Sequence, residues 1–503
     1  MNGAAAMPEA GAASGAGLRE AAVNGAFWNV GLAAVNKLLT TGGQVVLAWF
    51  LLPADMGLVA MAASATVIAT LFSASGIDDL LVQRHAHYDQ DAPQVLWISL
   101  GFNVVALAMV VGLAPFAARH FGDHRIAALM VIQALSWPLS TVPLVLVPKL
   151  RNQLRFKSLA LMNLGEGAVF TGTAVLLAAL GFGAYALVWP VLIRVVFSAA
   201  AARWMAGPLP WRAPEPRLWP SYLGPGMLLM AGNFVTSITT QLPVFVIGSF
   251  LDARHTGLYA WGYLLASQAV FLFAVNLRGL FTPLFAQIHG QPGRWADAII
   301  RSLHVITAVI IPVCVVQAFL ARPLLLIFFP PRWLEAAPVV SWLSLGLMLQ
   351  AVAIITHAAL IAAGRYWAFV AVSLLQALAV GAGVLLGCRG GDVVAASKGG
   401  ALAMAACVPV YFWVIHQVVG GGWGRLWDPL RSMALGVAAA WPAYMILGLG
   451  GAAPAAAWNL AAVAAYALTL IPLAFLLDPG LVRQIRGISA LIGCRHGVSV
   501  GPA

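Results

Sequence analysis

An all-helical protein that crosses a lipid bilayer about fourteen times is the fold class the sequence predicts, and three observations predict it. Hydrophobic residues make up 62% of the 503 and charged residues only 9%, with a mean hydropathy of +0.91; ordinary globular domains carry about 25% charge. Apolar runs of about 18 to 25 residues recur, the length an α-helix needs to cross a hydrocarbon core of roughly 30 Å. Those runs, such as Ala168 to Leu180 and Val463 to Leu477, are apolar on both faces, whereas the strands of a membrane barrel alternate in short segments.

The spans are set by the polar, Gly and Pro clusters that separate them. The first, near 24–49, stops at Leu52-Pro53, and the second, near 57–75, runs out before Asp78-Asp79. The third, near 94–116, lies between Asp91 and Arg119, and the fourth, near 126–147, between Arg125 and Lys149. Lys157 and the Gly181 to Gly183 turn bound the fifth, near 158–180, and Arg203 closes the sixth, near 184–204. A Pro-rich stretch then leads into the seventh, near 223–250, and Arg254 and Arg278 bracket the eighth, near 258–280. The ninth and tenth, near 301–320 and 338–361, flank the Arg322 to Pro338 loop, and the eleventh and twelfth, near 366–387 and 394–417, flank Arg389 to Asp392. The last two fall near 432–449 and 455–477, around the Gly-rich turn at 448–451.

Charge orients these spans. An even number puts both termini on one side, and the Lys/Arg excess belongs in the cytoplasmic loops. Eighteen of the 27 basic residues fall in the tails and even loops, among them Lys149, Arg151, Arg155 and Lys157, while seven fall in the odd loops. Both termini are therefore expected on the cytoplasmic side of the membrane. The net charge of +11 serves orientation, not nucleic-acid binding. Residues 1–22, rich in Ala and Gly and lacking the basic start and apolar core of a signal peptide, are expected to be a disordered tail. Cys314, Cys388, Cys407 and Cys494 form no CxxC pair, so neither a metal nor another cofactor is implied.

An internal repeat accompanies the spans. At an offset of 200, Thr40 falls on Thr240, Val46 on Val246, Phe50-Leu51 on Phe250-Leu251, and Gly57, Leu58 and Ala60 on Gly257, Leu258 and Ala260. At an offset of 208, Pro115 falls on Pro323 and Phe121 on Phe329. Copies separated by six spans keep one orientation, which predicts parallel repeats: a lobe at 23–205, a linker at 206–222, a second lobe at 223–418, an appended pair at 432–478 and a tail at 479–503. A cavity between two such lobes is the natural place for a substrate.

The first helix of each copy carries a polar stripe at helical spacing: Asn36, Lys37, Thr40, Thr41 and Gln44 in one, Asn233, Thr236, Ser237, Thr240 and Gln241 in the other. Interhelical hydrogen bonding accounts for Ser, Thr and Asn in such positions, but not for a lysine. A charge at mid-span costs at least about 2.5 to 3.5 kcal/mol on insertion scales, so Lys37 requires water, a partner or a ligand. Arg194 is likewise central in the sixth span, and Glu166 lies inside the fifth, where a pair with either cation would satisfy it structurally and where it is also a candidate ion-coupling site. Arg278 ends the eighth span, as a further cavity cation or as a cytoplasmic anchor.

Several stretches carry a resemblance: Leu51-Leu52-Pro53-Ala54-Asp55-Met56-Gly57-Leu58, Leu81-Val82-Gln83-Arg84, Leu154-Arg155-Phe156-Lys157, Gly183 to Val188, and Pro323 to Trp333 followed by Glu335-Ala336-Ala337-Pro338. They resemble the bacterial polysaccharide transporter family of the multidrug, oligosaccharidyl-lipid and polysaccharide exporter superfamily. That resemblance implies two six-helix lobes in a V around a central cavity, plus two C-terminal helices. It implies a flippase, not an enzyme, moving an undecaprenyl-diphosphate-linked oligosaccharide to the periplasmic leaflet, beside the glycosyltransferases and polymerase of a surface-polysaccharide pathway. Lys37 and Arg194 would then offset the headgroup's charge. Two alternatives stand beside it. An ion-coupled drug antiporter would favour buried carboxylates, and a membrane polymerase or glycosyltransferase would need an acid or base constellation on a large periplasmic loop.

Overall fold

The structure, a computed structural model, describes residues 15–72, 81–82, 87–153, 155–270, 281, 284–285, 287–288, 290–420, 423–442, 445, 461 and 463–470. Among the described residues every regular element is helical. In chain order they are α1 (Gly15–Phe50), α2 (Pro53–Ala65), α3 (Tyr88–Phe121), α4 (Arg125–Asn152), α5 (Phe156–Ala179), α6 (Tyr185–Ala206) and α7 (Trp219–Phe250). They continue as α8 (Ala253–Val270), α9 (Pro292–Phe328), α10 (Ala337–Met348), α11 (Gln350–Ala362), α12 (Tyr366–Cys388), α13 (Val393–Val419) and α14 (Trp427–Ala438). Eight helical stretches among the described residues are each long and apolar enough to cross a membrane, with Gly31–Phe50 and Pro53–Ala65 passing the same test together across a 119° bend. The chain is a multi-pass membrane protein.

That bend is written locally. Pro53 occupies the first helical position of α2, where its missing N–H is harmless and its fixed φ suits a helix start. Leu52 before it is extended, and its N–H donates to Asp55 Oδ2 at 3.0 Å, so the Leu-Leu-Pro-Ala-Asp string both stops α1 and caps α2. The helix expected over 57–75 ends sooner, at Ala65, and continues as 3-10 turns over Val67–Phe72. Ser64 Oγ donates to Met61 O and Thr66 Oγ1 to Ala63 O, both at 2.8 Å, and such back-bonding competes with the α-helical ladder.

Three other boundaries differ from expectation. The span over 338–361 is two helices, α10 and α11, meeting at Leu349. Helix α1 begins at Gly15, inside the segment expected to be a tail, because Leu18, Arg19, Glu20 and Ala21 are all good helix formers. Helix α7 begins at Trp219, inside the expected linker. Asp78, Asp79, Gln83, Arg84 and Arg278 lie outside the described residues, as do most of the last span and the C-terminal tail.

The chain divides into two compact units. The first comprises α1, α3 to Phe116, α4 from Ala127, α5, α6 and α7 to Asn233. Small residues let its helices approach: a Cβ on Gly43 would overlap the Thr171 side chain, and one on Gly165 would lie 2.7 Å from Phe197 Cζ. Leu146 and Leu150 of α4, Leu159 and Met162 of α5, and Ala202 and Ala206 of α6 form one buried cluster. The start of α7 and the segment before it are strapped to α3. Tyr222 Oη donates to Asp91 Oδ1 at 2.7 Å, the Glu215 N–H to Gln94 Oε1 at 2.8 Å, and Trp97 Nε1 to Arg212 O at 2.8 Å.

The second unit comprises α2, the α3–α4 turn, α7 from Phe234, and α8 to α14. Helices α2 and α8 cross through two glycines: a Cβ on Gly57 would overlap Ala253 O, and one on Gly257 would overlap Pro53 O. Positions 53 and 57 correspond to 253 and 257 at the offset of 200, so each repeat copy makes the same contact to the other. In the α3–α4 turn, the Arg125 guanidinium donates to Asp123 Oδ2 at 2.7 Å and holds that carboxyl below the usual carboxylate range. Asp392 caps α13 by accepting from the Val394 and Ala395 N–H groups.

Candidate functional site

The first unit holds an open cavity of about 510 Å³ between α1, α5 and α6. Helix α1 contributes Asn36, Lys37 and Thr40, the three polar positions that fall on one face at a spacing of one turn. Helix α5 contributes Asn163, Glu166 and Phe170, again spaced by three and four. From α6 comes Arg194. The helices can close on this space because Gly167 carries no side chain. A Cβ there would overlap Asn36 Oδ1, an oxygen that is buried and has no hydrogen-bond partner among the described residues.

Arg194 and Glu166 form an ion pair, Nη1 to Oε2 at 3.3 Å, and Ser198 Oγ donates to Glu166 Oε1 at 2.6 Å. Ser198 sits one turn after Arg194 on α6 and is buried. The carboxylate is thus held by two groups of α6 while its helix also faces the cavity, with 18% of the side chain exposed. Two cations and one carboxylate line the space, so it carries one positive charge in excess. Lys37 supplies the other cation and is exposed. Thr40 Oγ1 donates back to Asn36 O at 2.9 Å, which fixes its rotamer on the cavity side of α1.

The structure brings together Asn36, Lys37, Thr40, Glu166 and Arg194 of the residues singled out in the sequence. Gln44 is half-buried one turn beyond Thr40 and is not part of the cavity wall. Gln241 is half-buried in the second unit and does not join this cavity, while the Asn233 side chain and Arg278 lie outside the described residues. Asn163, Phe170 and Ser198 were not anticipated. Their signal is spacing alone: three before and four after Glu166, and four after Arg194.

The second unit holds a much smaller pocket, about 30 Å³, whose wall includes Thr239, Thr240, Tyr259, Tyr263 and Gln350. Thr240 is the counterpart of Thr40 at the offset of 200. Among the described residues no charged side chain lines it.

The family model for "Polysaccharide biosynthesis protein" matches residues 46–338. The chain is 28% identical over 409 residues to the succinoglycan biosynthesis transport protein ExoT of Rhizobium meliloti (strain 1021), covering 77% of this chain and 80% of that one. It is 20% identical over 373 residues to the teichuronic acid biosynthesis protein TuaB of Bacillus subtilis (strain 168), covering 71% and 72% respectively. Among solved structures it is similar to the lipid II flippase MurJ in an inward closed conformation, with a TM-score of 0.68 at 13% identity over 90% of this chain and 99% of that one. An inward-facing MATE family multidrug resistance transporter gives a TM-score of 0.56 at 14% identity, over 79% and 94%. These structural likenesses establish the fold.

Proposed function

The chain belongs to the polysaccharide biosynthesis protein family, and from that membership we propose that it is a flippase carrying a lipid-linked oligosaccharide from the cytoplasmic to the periplasmic leaflet of a bacterial inner membrane. The observation that carries the reading is the cavity of the first unit, a partly polar space with one excess positive charge walled by α1, α5 and α6. An anionic, hydroxyl-rich headgroup needs such a space to leave water, while its lipid tail stays in the bilayer. The names of the relatives, a succinoglycan transport protein and a teichuronic acid biosynthesis protein, support a polysaccharide cargo. Lys37 offsets the headgroup charge, Asn36 and Thr40 line its path, and Glu166 orients Arg194 and is the candidate for ion coupling.

Glycosyltransferases supply the cargo and a polymerase consumes it, so the protein itself has no bond to make or break. The two repeat copies, near 23–205 and 223–418, alternate access, and both termini lie in the cytoplasm. A drug antiporter fits less well, because the one carboxylate in the cavity is already paired to Arg194 and a cationic drug would meet net positive charge.

Purified full-length protein in liposomes, loaded with a fluorescent polyprenyl-diphosphate oligosaccharide, tests the reading. Transfer between leaflets, followed with a membrane-impermeant quencher with and without an ion gradient, is expected to exceed that of protein-free liposomes. Equal rates under every gradient would refute it.

A further inference from the structure

We propose that the cavity of the first unit is a sugar subsite, holding a neutral first sugar of the glycan and the single phosphate next to it, and not a site for the whole diphosphate. The inference rests on the lipid-linked glycan reading above and deepens it. Charge is the first argument. A diphosphate diester carries two negative charges, whereas Lys37, Arg194 and Glu166 together supply one positive charge. One oxyanion is matched; the second is left outside. A uronic acid in the same space would add a carboxylate with no cation to meet it.

The second argument is the kind of polar group present. A carboxylate on the wall repels a phosphate but accepts strongly from hydroxyls, because hydrogen bonds to an ionised acceptor are the stronger ones. Arg194 Nη1 donates to Glu166 Oε2 at 3.3 Å and Ser198 Oγ to Oε1 at 2.6 Å, and a carboxylate offers about four acceptor directions in all, so it can also accept from sugar hydroxyls. Asn163 is an exposed amide one turn from Glu166. Thr40 Oγ1, which donates to Asn36 O at 2.9 Å, keeps its lone pairs for a sugar hydroxyl on the cavity wall. Phe170 adds an aromatic wall on the same helix, suited to the apolar face of a pyranose ring. The third argument is size: about 510 Å³ lies within the roughly 300 to 1,000 Å³ of small-molecule sites and exceeds what one phosphate fills.

The test is binding of three probes to the full-length protein in nanodiscs: C55 polyprenyl diphosphate, the same lipid bearing one neutral hexose, and the same lipid bearing one hexuronic acid. Wild type is expected to bind the hexose lipid about tenfold more tightly than either other lipid. Glu166→Gln should weaken the hexose lipid by about tenfold, the loss of a charge-assisted acceptor, and leave bare diphosphate unchanged or tighter. If a diphosphate fills the cavity, the sign reverses: removing the carboxylate tightens all three lipids, and the proposal is overturned. Asn163→Ala changes no charge and no ion pair, so it guards against a folding defect in the first variant; it should weaken the hexose lipid alone, and equal affinity for all probes would overturn the proposal. If no lipid binds wild type saturably, the flippase reading itself fails. If the lipids bind wild type alike, that reading stands and the sugar subsite falls.

Discussion

Replacing Lys37 separates a headgroup site from a structural cavity. The lysine sits on α1 beside Asn36 and one turn before Thr40, exposed on the wall of the 510 Å³ space. A hydrogen bond from an ammonium to a phosphate oxygen contributes about 1.5 to 3 kcal/mol, and each 1.4 kcal/mol is roughly tenfold in affinity. Lys37→Ala should therefore weaken headgroup binding by about ten- to a hundredfold. Stability should move the other way or not at all, since a mid-span charge costs about 2.5 to 3.5 kcal/mol on insertion scales and its removal relieves that term. Lys37→Arg keeps the charge but replaces a compact ammonium by a planar fork, so partial activity is expected, while Lys37→Gln should behave as the alanine variant does. The assay is surface polysaccharide per cell in a strain lacking its own transporter, with protein level by immunoblot and melting temperature on purified protein. Wild-type export from a normally expressed Lys37→Ala protein would refute the assignment; lost export together with a lowered melting temperature would mean the lysine is structural.

Two further predictions concern the fold. In a cysteine-free background, single cysteines at Gln153 should react with a membrane-impermeant maleimide only after the cytoplasmic side is opened, and ones at Asp252 and Asp392 from the periplasm; a reversed or mixed pattern would break the even span count. Gly57→Ala and Gly257→Ala each place a Cβ against a backbone carbonyl, which cannot swing aside, so each should cost about 1 to 3 kcal/mol, read as a fall in melting temperature. Because both press on one crossing, the double variant should lose less than the sum; strict additivity would show that the two contacts are independent, and Gly101→Ala, with nothing near its Cβ, serves as the neutral control.

The spans were legible because lipid leaves little choice: a backbone that finds no water must satisfy itself within a helix, and the apolar run that results is long and contiguous. The bend at Leu51-Leu52 was legible through Pro53. Early termination of α2 was not, because Ser64 and Thr66 act through side-chain hydrogen bonds that an apolar count ignores. In the site, intramembrane charge marked Lys37, Glu166 and Arg194, but charge alone could not say that Arg194 and Glu166 meet. Their pairing alters what Arg194 does, from an open cation to one already engaged by a carboxylate. Asn163, Phe170 and Ser198 carry no mark in composition. They become visible only when the helix period is run outward from a residue already suspected.

The two pockets differ at positions that correspond at the offset of 200. At the offset of 200, Thr40 answers to Thr240, and each lines a pocket in its own unit. Gly57 and Gly257 likewise make reciprocal contacts. Close backbone approach is thus retained at corresponding positions. Charge is not: the position that answers to Lys37 is Ser237, and among the described residues the pocket in the second unit is lined by hydroxyls, an amide and apolar side chains with no charged group. Two copies of one scaffold need equal packing, because each must fold against the same kind of neighbour, but a single anionic cargo needs its countercharge only once. A mid-span charge in the copy that does not meet the headgroup would incur the insertion cost with nothing to offset it. A flippase that meets its headgroup in one half needs a charged cavity only there, and among the described residues the charged cavity of about 510 Å³ lies in the first unit while the pocket of about 30 Å³ in the second has no charged lining.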